Sequence, residues 1–222
     1  MNNKKFFIAD LHLGHKNILT LARRRFNNIE DHDNHVIASI NRVVDPQSNL
    51  YILGDLGFHR NIENLRKYLS RIKCRNIHII LGNHDRLTDL VTLRREGVIL
   101  DVQPKIIVQK NKKSVVCFHY PMREWEGYYR GYYHAYGHVH GTLSSYERSM
   151  DVGIDSIGYE PIEFDDLIAR IDTFKEENPS NISQEDEIIN EFFPDLNTHF
   201  FVSLCTGNQE IRDTIYKVLR RK

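Results

Sequence analysis

The chain has 222 residues, 41% hydrophobic and 27% charged, with 30 basic side chains against 30 acidic ones. This is the balance of a globular protein with room for one large domain and an appendage, and its zero net charge excludes a global field that would draw it to nucleic acid or an anionic membrane. Three widely separated cysteines, Cys74, Cys117 and Cys205, exclude a disulfide framework and a zinc-thiolate site, and they predict free thiols in a reducing compartment.

The first apolar run, Phe6-Phe7-Ile8-Ala9, is too short for a signal peptide and reads as a buried strand. No later run reaches membrane-span length, so a cytoplasmic protein with no membrane contact is expected. The strand stops at Asp10-Leu11-His12-Leu13-Gly14-His15-Lys16-Asn17. In extended chain, residues two apart share a face, so Asp10 and His12 can converge on one point. Ile18 to Arg25 reads as a short helix with a basic end. Glu30 to Val44 has Val36, Ile37, Ile40, Val43 and Val44 at helical spacing, and Asp45-Pro46 stops it. Leu50 to Leu53 is a second strand, ending at Gly54-Asp55. Leu65, Leu69 and Ile72 mark a helix over Ile62 to Ile72. Ile77 to Leu81 is a third strand, ending at Gly82-Asn83-His84-Asp85. Leu87 to Glu96 is helical and closed by Gly97. This β-α-β-α-β-α order predicts a parallel sheet with right-handed crossovers.

The second half changes character. Val98 to Val102, Lys105 to Gln109 and Ser114 to Phe118 are short strands, the last two joined by a turn at Asn111-Lys112-Lys113. Strands are also expected at Tyr132 to Tyr136 and Ser149 to Ile154, and a helix at Phe164 to Phe174. The implied architecture is two sheets face to face with helices outside. From Lys175 the composition turns polar, so the domain is placed at 1–174 and a helical appendage at 175–222. That appendage comprises a linker through Asn181, a helix from Ser183 to Phe193, and another from Asn208 to Arg221. The two helices offer a surface for docking on the core or for homo-oligomerisation.

The polar residues that follow the strands are Asp10 and His12; Asp55; Asn83, His84 and Asp85; His119; and His138 with His140. Alone, Gly82-Asn83-His84-Asp85 is also an ordinary turn composition. Leaving out His84 and Asp85, the rest are oxygen and imidazole donors without sulfur, too many for one four-coordinate zinc. They suit two cations sharing a carboxylate, and the mixed donors favour Mn²⁺, Fe or Zn²⁺ over Mg²⁺ or Ca²⁺.

The ordered motifs Asp10-Leu11-His12, Gly54-Asp55, Gly82-Asn83-His84-Asp85, His119 and Gly137-His138-Val139-His140 resemble the calcineurin-like metallophosphoesterase superfamily. The run from Asp10 to Ile18 is similar to a small bacterial and phage phosphoesterase branch of it. The resemblance implies an α/β (α+β) four-layer αββα sandwich, two mixed β-sheets flanked by helices. It implies two divalent ions, Mn²⁺ first, with Fe, Zn²⁺ or Ni²⁺ as alternatives. Asp10, His12 and His140 would hold the first metal, Asn83, His119 and His138 the second, and Asp55 would bridge. His84 would face the phosphate with Asp85 orienting it. The implied reaction is hydrolysis of a phosphomonoester or phosphodiester by a metal-bridging hydroxide, with no covalent enzyme intermediate. The expected partner is a small phosphate ester, a nucleotide among the candidates. A catalytically silent scaffold and a nuclease on single-stranded nucleic acid are the alternatives, the latter disfavoured because no extended basic surface is evident.

Four further residues are candidate substrate contacts. His15 and Asn17 could reach phosphate, or Asn17 could cap the helix after it. Arg86 and Arg123 could pair with phosphate or be solvated, and Trp125 could stack on a ring or simply pack. Tyr128 to Tyr133 could line a nucleotide pocket or pack a sheet edge. Asp151 and Asp155 read as strand support, and His32, His35, His59, His78, His134 and His199 as structural or exposed.

Overall fold

A computed structural model of the chain describes residues 4–57 and 61–177. The appendage helices, His59, His199 and Cys205 lie outside the described residues. Three strands follow the parallel order expected, β1 (Lys5–Ile8), β2 (Asn49–Leu53) and β3 (Asn76–Ile80), and β4 (Asp101–Gln103), grouped by sequence with the second half, joins them in parallel beside β3. β1, β2 and β3 are apolar along almost their whole length because both faces of the sheet are covered. On one face, α2 (Ile29–Val43), α3 (Ile62–Leu69) and α4 (Leu87–Arg95) bury Val36, Ile37, Ile40, Leu65, Leu69, Leu90 and Leu93 against Ile8, Leu50, Ile52, Ile77 and Ile79. Each fully buried aliphatic side chain contributes about 1.5–3 kcal/mol. Asn28 caps α2 by accepting from the Asp31 N–H at 2.8 Å, and Glu30 and Asp31 complement the helix dipole.

The second sheet runs β5 (Lys105–Lys110), β6 (Lys113–Phe118), β7 (Tyr133–Tyr136), β8 (Ser149–Asp151). β5 and β6 are antiparallel; β6, β7 and β8 are parallel. The hairpin turn is tighter than expected: Lys113 pairs with Lys110, leaving Asn111 and Lys112 at φ 49° and 64° as a two-residue turn. Between the sheets, Phe7, Ala9, Tyr51, Leu53 and Ile80 meet Val108, Val115, Cys117, Ala135 and Met150. α6 (Phe164–Glu177) closes this inner core with Phe164, Leu167, Ile168 and Ile171. On the outer face of the second sheet, Trp125 and Tyr128 pack on Val116. The result is an α/β sandwich of two mixed sheets with helices, as expected. Cys74 and Cys117 are buried and free, and no helix among the described residues is long and apolar enough to cross a membrane.

Several boundaries differ from expectation. The helix expected to reach Arg25 is a single turn, α1 (Ile18–Leu21), because Arg23 takes φ 53° and Arg24 turns into the interior. β4 begins at Asp101, since Val98 is tied to the end of α4 through Leu93 at 2.9 Å and Leu100 to Ile77 at 2.8 Å. β8 stops at Asp151, whose carboxylate takes the Gly153 N–H at 2.7 Å and starts α5 (Ile154–Ile157) instead. A two-residue strand, β9 (Ile162–Glu163), adds an antiparallel edge beside β1; it is too short to leave a periodicity. α6 continues to Glu177, past the Phe174 expected.

Candidate metal centre

Parallel strands present their carboxyl ends along one sheet edge, where α/β proteins place their chemistry. Here the loops after β1, β2 and β3 meet those after β6 and β7. The first two stay paired beyond their strands: Asp10 N–H donates to Gly54 O at 3.1 Å and His12 N–H to Asp55 O at 2.9 Å. The β7 loop is fastened across the sandwich by the His138 N–H, 2.9 Å from Asp10 Oδ2.

Packing this tightly requires unusual backbone. Asp10, His12, Asp55, His138 and His140 all have positive φ, between 49° and 72°. Each such residue costs on the order of 1–3 kcal/mol and persists only where its surroundings over-determine it. Two glycines allow the approach. A Cβ on Gly54, at φ +91°, would lie 2.3 Å from His119 Nδ1, and one on Gly137 would lie 2.6 Å from Asp10 Oδ2.

Asp10, His12 and His140 offer donor atoms within 4.8 Å of one another, and so do Asp10, Asp55 and His119. Asp55 Oδ2 stands 3.6 Å from Nε2 of both His12 and His119. That exceeds a hydrogen bond but matches the spacing of about 3.4 Å between two donors sharing a tetrahedral cation at roughly 2.1 Å. Asp10 belongs to both groups, so proximity alone does not choose the shared carboxylate; the equal distances favour Asp55. Asn83 Oδ1 lies 2.9 Å from His119 Nε2 and 2.9 Å from His138 Nδ1. The structure thus gathers all of the expected ligands in one place.

The imidazole tautomers fit a cation. His119 Nδ1 lies 2.8 Å from Leu53 O and His140 Nδ1 lies 2.7 Å from Asp155 Oδ2, so each carries its proton on Nδ1 and turns a lone pair outward on Nε2. Neutral His119 then faces Asn83 with acceptor against acceptor, a repulsion that a cation between them removes. His12 Nε2 is buried with no hydrogen-bond partner, a costly state for a polar atom unless it ligates. Burial, helped by the positive charge of Arg24, holds His12 far below its ordinary value, and burial lowers His119 as well. Burial, with Asp151 and Asp55 nearby, pushes Asp10 well up. The hydrogen bond His140 donates to Asp155 raises His140. Crowded carboxylates and neutral imidazoles of this kind are the donor set that divalent ions stabilise.

His84 is exposed, with its N–H on Asp55 Oδ1 at 2.9 Å and its ring 5.4 Å from that of His12. Asp85 was expected to orient His84. Its oxygens take the N–H groups of Gly82 and Asp55 at 2.9 Å and of Leu56 at 3.0 Å, bonds that join two loops. Burial pushes Asp85 up to about 6, although these three donors pull it down.

The expected substrate contacts scatter. His15 stays at the site, with Nδ1 3.4 Å from His12 Nδ1. Asn17 is exposed and its side chain does not cap α1. Arg86 pairs with Asp89 at 3.6 Å, and Arg123 lies 5.3 Å over the Tyr146 ring. Trp125 and Tyr128 pack on each other at 4.8 Å, and Tyr133 is buried and donates to Asp172 at 2.9 Å, so these aromatic residues serve the sheet. Sequence reasoning missed Arg24 and Asp33 and read His32 only as structural or exposed. All three are buried beside the β1 loop, and the run of three arginines Arg23-Arg24-Arg25 gives no signal that the middle one turns inward.

No family model matches the chain. It is 25% identical over 178 residues to the uncharacterized protein MJ1445 of Methanocaldococcus jannaschii, covering 78% of this chain and 93% of that protein. Its fold is similar to that of the protein of unknown function AQ665 from Aquifex aeolicus, at TM-score 0.61 and 22% identity, covering 78% of this chain and all of that one. A weaker likeness, at TM-score 0.37 and 18% identity over 68% of this chain and 78% of the other, is to the phosphoesterase YfcE from E. coli.

Proposed function

We propose that this chain is a metal-dependent phosphohydrolase acting on a small phosphate ester at a centre of two divalent cations. The observation that carries the reading is the position of Asp55 Oδ2, 3.6 Å from the Nε2 atoms of both His12 and His119, with His12 Nε2 buried and otherwise unpartnered. Asp10, His12 and His140 would hold one cation, Asn83, His119 and His138 the other, with Asp55 between them. When bound, two such cations would supply charge neutralisation at the ester oxygens and would lower the pKa of a bound water toward neutral. The chain's own residues do the rest. Asp55 fixes the backbone of His84 while contacting both donor groups, so the exposed imidazole is held over the site, where it stabilises the phosphate or gives a proton to the leaving oxygen. Nothing in this scheme needs a covalent enzyme intermediate.

The test is hydrolysis of an aryl phosphate and a bis-aryl phosphate by the full chain with added Mn²⁺, Zn²⁺ or Ni²⁺. Asp55→Ala should lose bound metal and activity together. His84→Ala should keep its metal and lose about 10²–10⁴-fold in kcat, the contribution expected of a positioned acid. Full activity in His84→Ala would remove that residue from the mechanism, and no turnover with any of the ions would refute the reading.

A further inference from the structure

Arg24 is buried, at 5% exposure, directly behind the first group of donors. A guanidinium has five N–H bonds in a rigid fork and no acceptor. All five are matched here. Nε donates to Asp155 Oδ1 at 2.9 Å and Nη2 to Asp155 Oδ2 at 2.7 Å, a bidentate pair. The second hydrogen on Nη2 goes to the Asp10 carbonyl at 2.8 Å. Nη1 reaches the Leu11 carbonyl at 3.2 Å and His32 Nε2 at 3.1 Å.

Each acceptor leads to the same three residues. Asp155 holds His140 Nδ1 at 2.7 Å, fixing its tautomer and the direction of its Nε2. The Asp10 and Leu11 carbonyls belong to the turn in which Asp10 and His12 sit at φ 58° and 49°. Since His32 Nε2 accepts, His32 carries its proton on Nδ1 and donates to Asp33 Oδ1 at 2.9 Å. Asp33 Oδ2 in turn takes the Gly14 N–H at 2.9 Å, at the far end of that turn. No comparable bond runs from Arg24 to Asn83, His119 or His138 among the described residues.

We propose that Arg24 is the positioning residue of the first metal site: through Asp155 it aims His140, and through the carbonyls of Asp10 and Leu11 it holds the strained turn that presents Asp10 and His12. This rests on the two-metal reading above. Lysine keeps the charge but has three donors and no fork, so it cannot replace the arrangement.

The experiment is calorimetric titration of the metal-free full chain with Mn²⁺, together with paramagnetic resonance of the loaded protein. Wild type should bind two ions and give an exchange-coupled spectrum. Arg24→Lys should bind one ion with unchanged affinity and the other 10–100-fold more weakly, the usual cost of losing a residue that orients a ligand, and its coupled signal should give way to an isolated one. Asp155→Asn, which keeps the packing, should do the same, and it carries the test if circular dichroism shows Arg24→Lys unfolded. Two unchanged affinities in a folded variant overturn the assignment. So do two equally weakened affinities, which would mark Arg24 as merely structural. Failure of wild type to bind any Mn²⁺ would instead overturn the metal reading beneath it, and failure to hydrolyse esters while the two affinities split would leave the assignment standing.

Discussion

Removing the Asp85 carboxylate should unfasten two loops at once. Its oxygens take three backbone N–H groups, from Gly82, Asp55 and Leu56, at 2.9–3.0 Å. Burial pushes Asp85 only to about 6, so it is ionised at pH 8 and the bonds are charge-assisted. Leaving a buried donor without a partner costs about 1–3 kcal/mol. Asp85→Ala abandons all three, and since such losses are not additive we expect roughly 3–5 kcal/mol, a large part of the 5–15 kcal/mol that holds a typical domain together. Asp85→Asn can keep the two bonds to Oδ2 but turns an amide N–H₂ against the Leu56 N–H, for roughly 1–3 kcal/mol. The assay is urea unfolding at pH 8 in chelator, so that metal binding does not enter. The order wild type, Asn, Ala is required. Asp85→Ala within about 0.5 kcal/mol of wild type would refute the reasoning, because a change that small is what a surface site away from any buried network gives.

Two further outcomes follow from the same geometry. Gly54→Ala should destabilise by at least about 2 kcal/mol, because φ +91° is strained for alanine and its Cβ would fall 2.3 Å from His119 Nδ1; thermal unfolding without metal reads this directly. His134 is held by burial at about 4, with Nδ1 donating to Val116 O at 2.9 Å. Above its ordinary 6.5 both folded and unfolded chains are neutral there, and this group makes stability independent of pH. Below 6.5 only the unfolded chain takes up the proton, so stability falls as pH drops toward about 4, by roughly 1.4 kcal/mol per unit and up to about 3 kcal/mol in all. His134→Gln should unfold with a shallower pH slope across that window; identical slopes would exclude His134 as the source.

The amino-acid sequence by itself determined the parallel half of the fold and the candidate donor residues at its edge. Buried parallel strands must be continuous apolar runs, so Phe6 to Ala9, Leu50 to Leu53 and Ile77 to Leu81 announce themselves, and each ends on the polar residue that the sheet edge then presents. Asp10 with His12 and His138 with His140 were legible because the spacing of chemistry-bearing residues within one loop is local information. The separation of the second half into a mixed sheet with an added β9 edge was only partly legible, since strands of two or three residues carry no period. Only the tertiary structure decided that five of the donors take left-handed backbone, that Asp85 ties loops together, and that Arg24 meets Asp155. Arg24 and Asp155 are 131 positions apart in the chain, and nothing near either one signals the other. Local propensity favoured carrying the helix on through Arg25. The guanidinium found five acceptors only by leaving it, and that long-range gain outweighed the local preference.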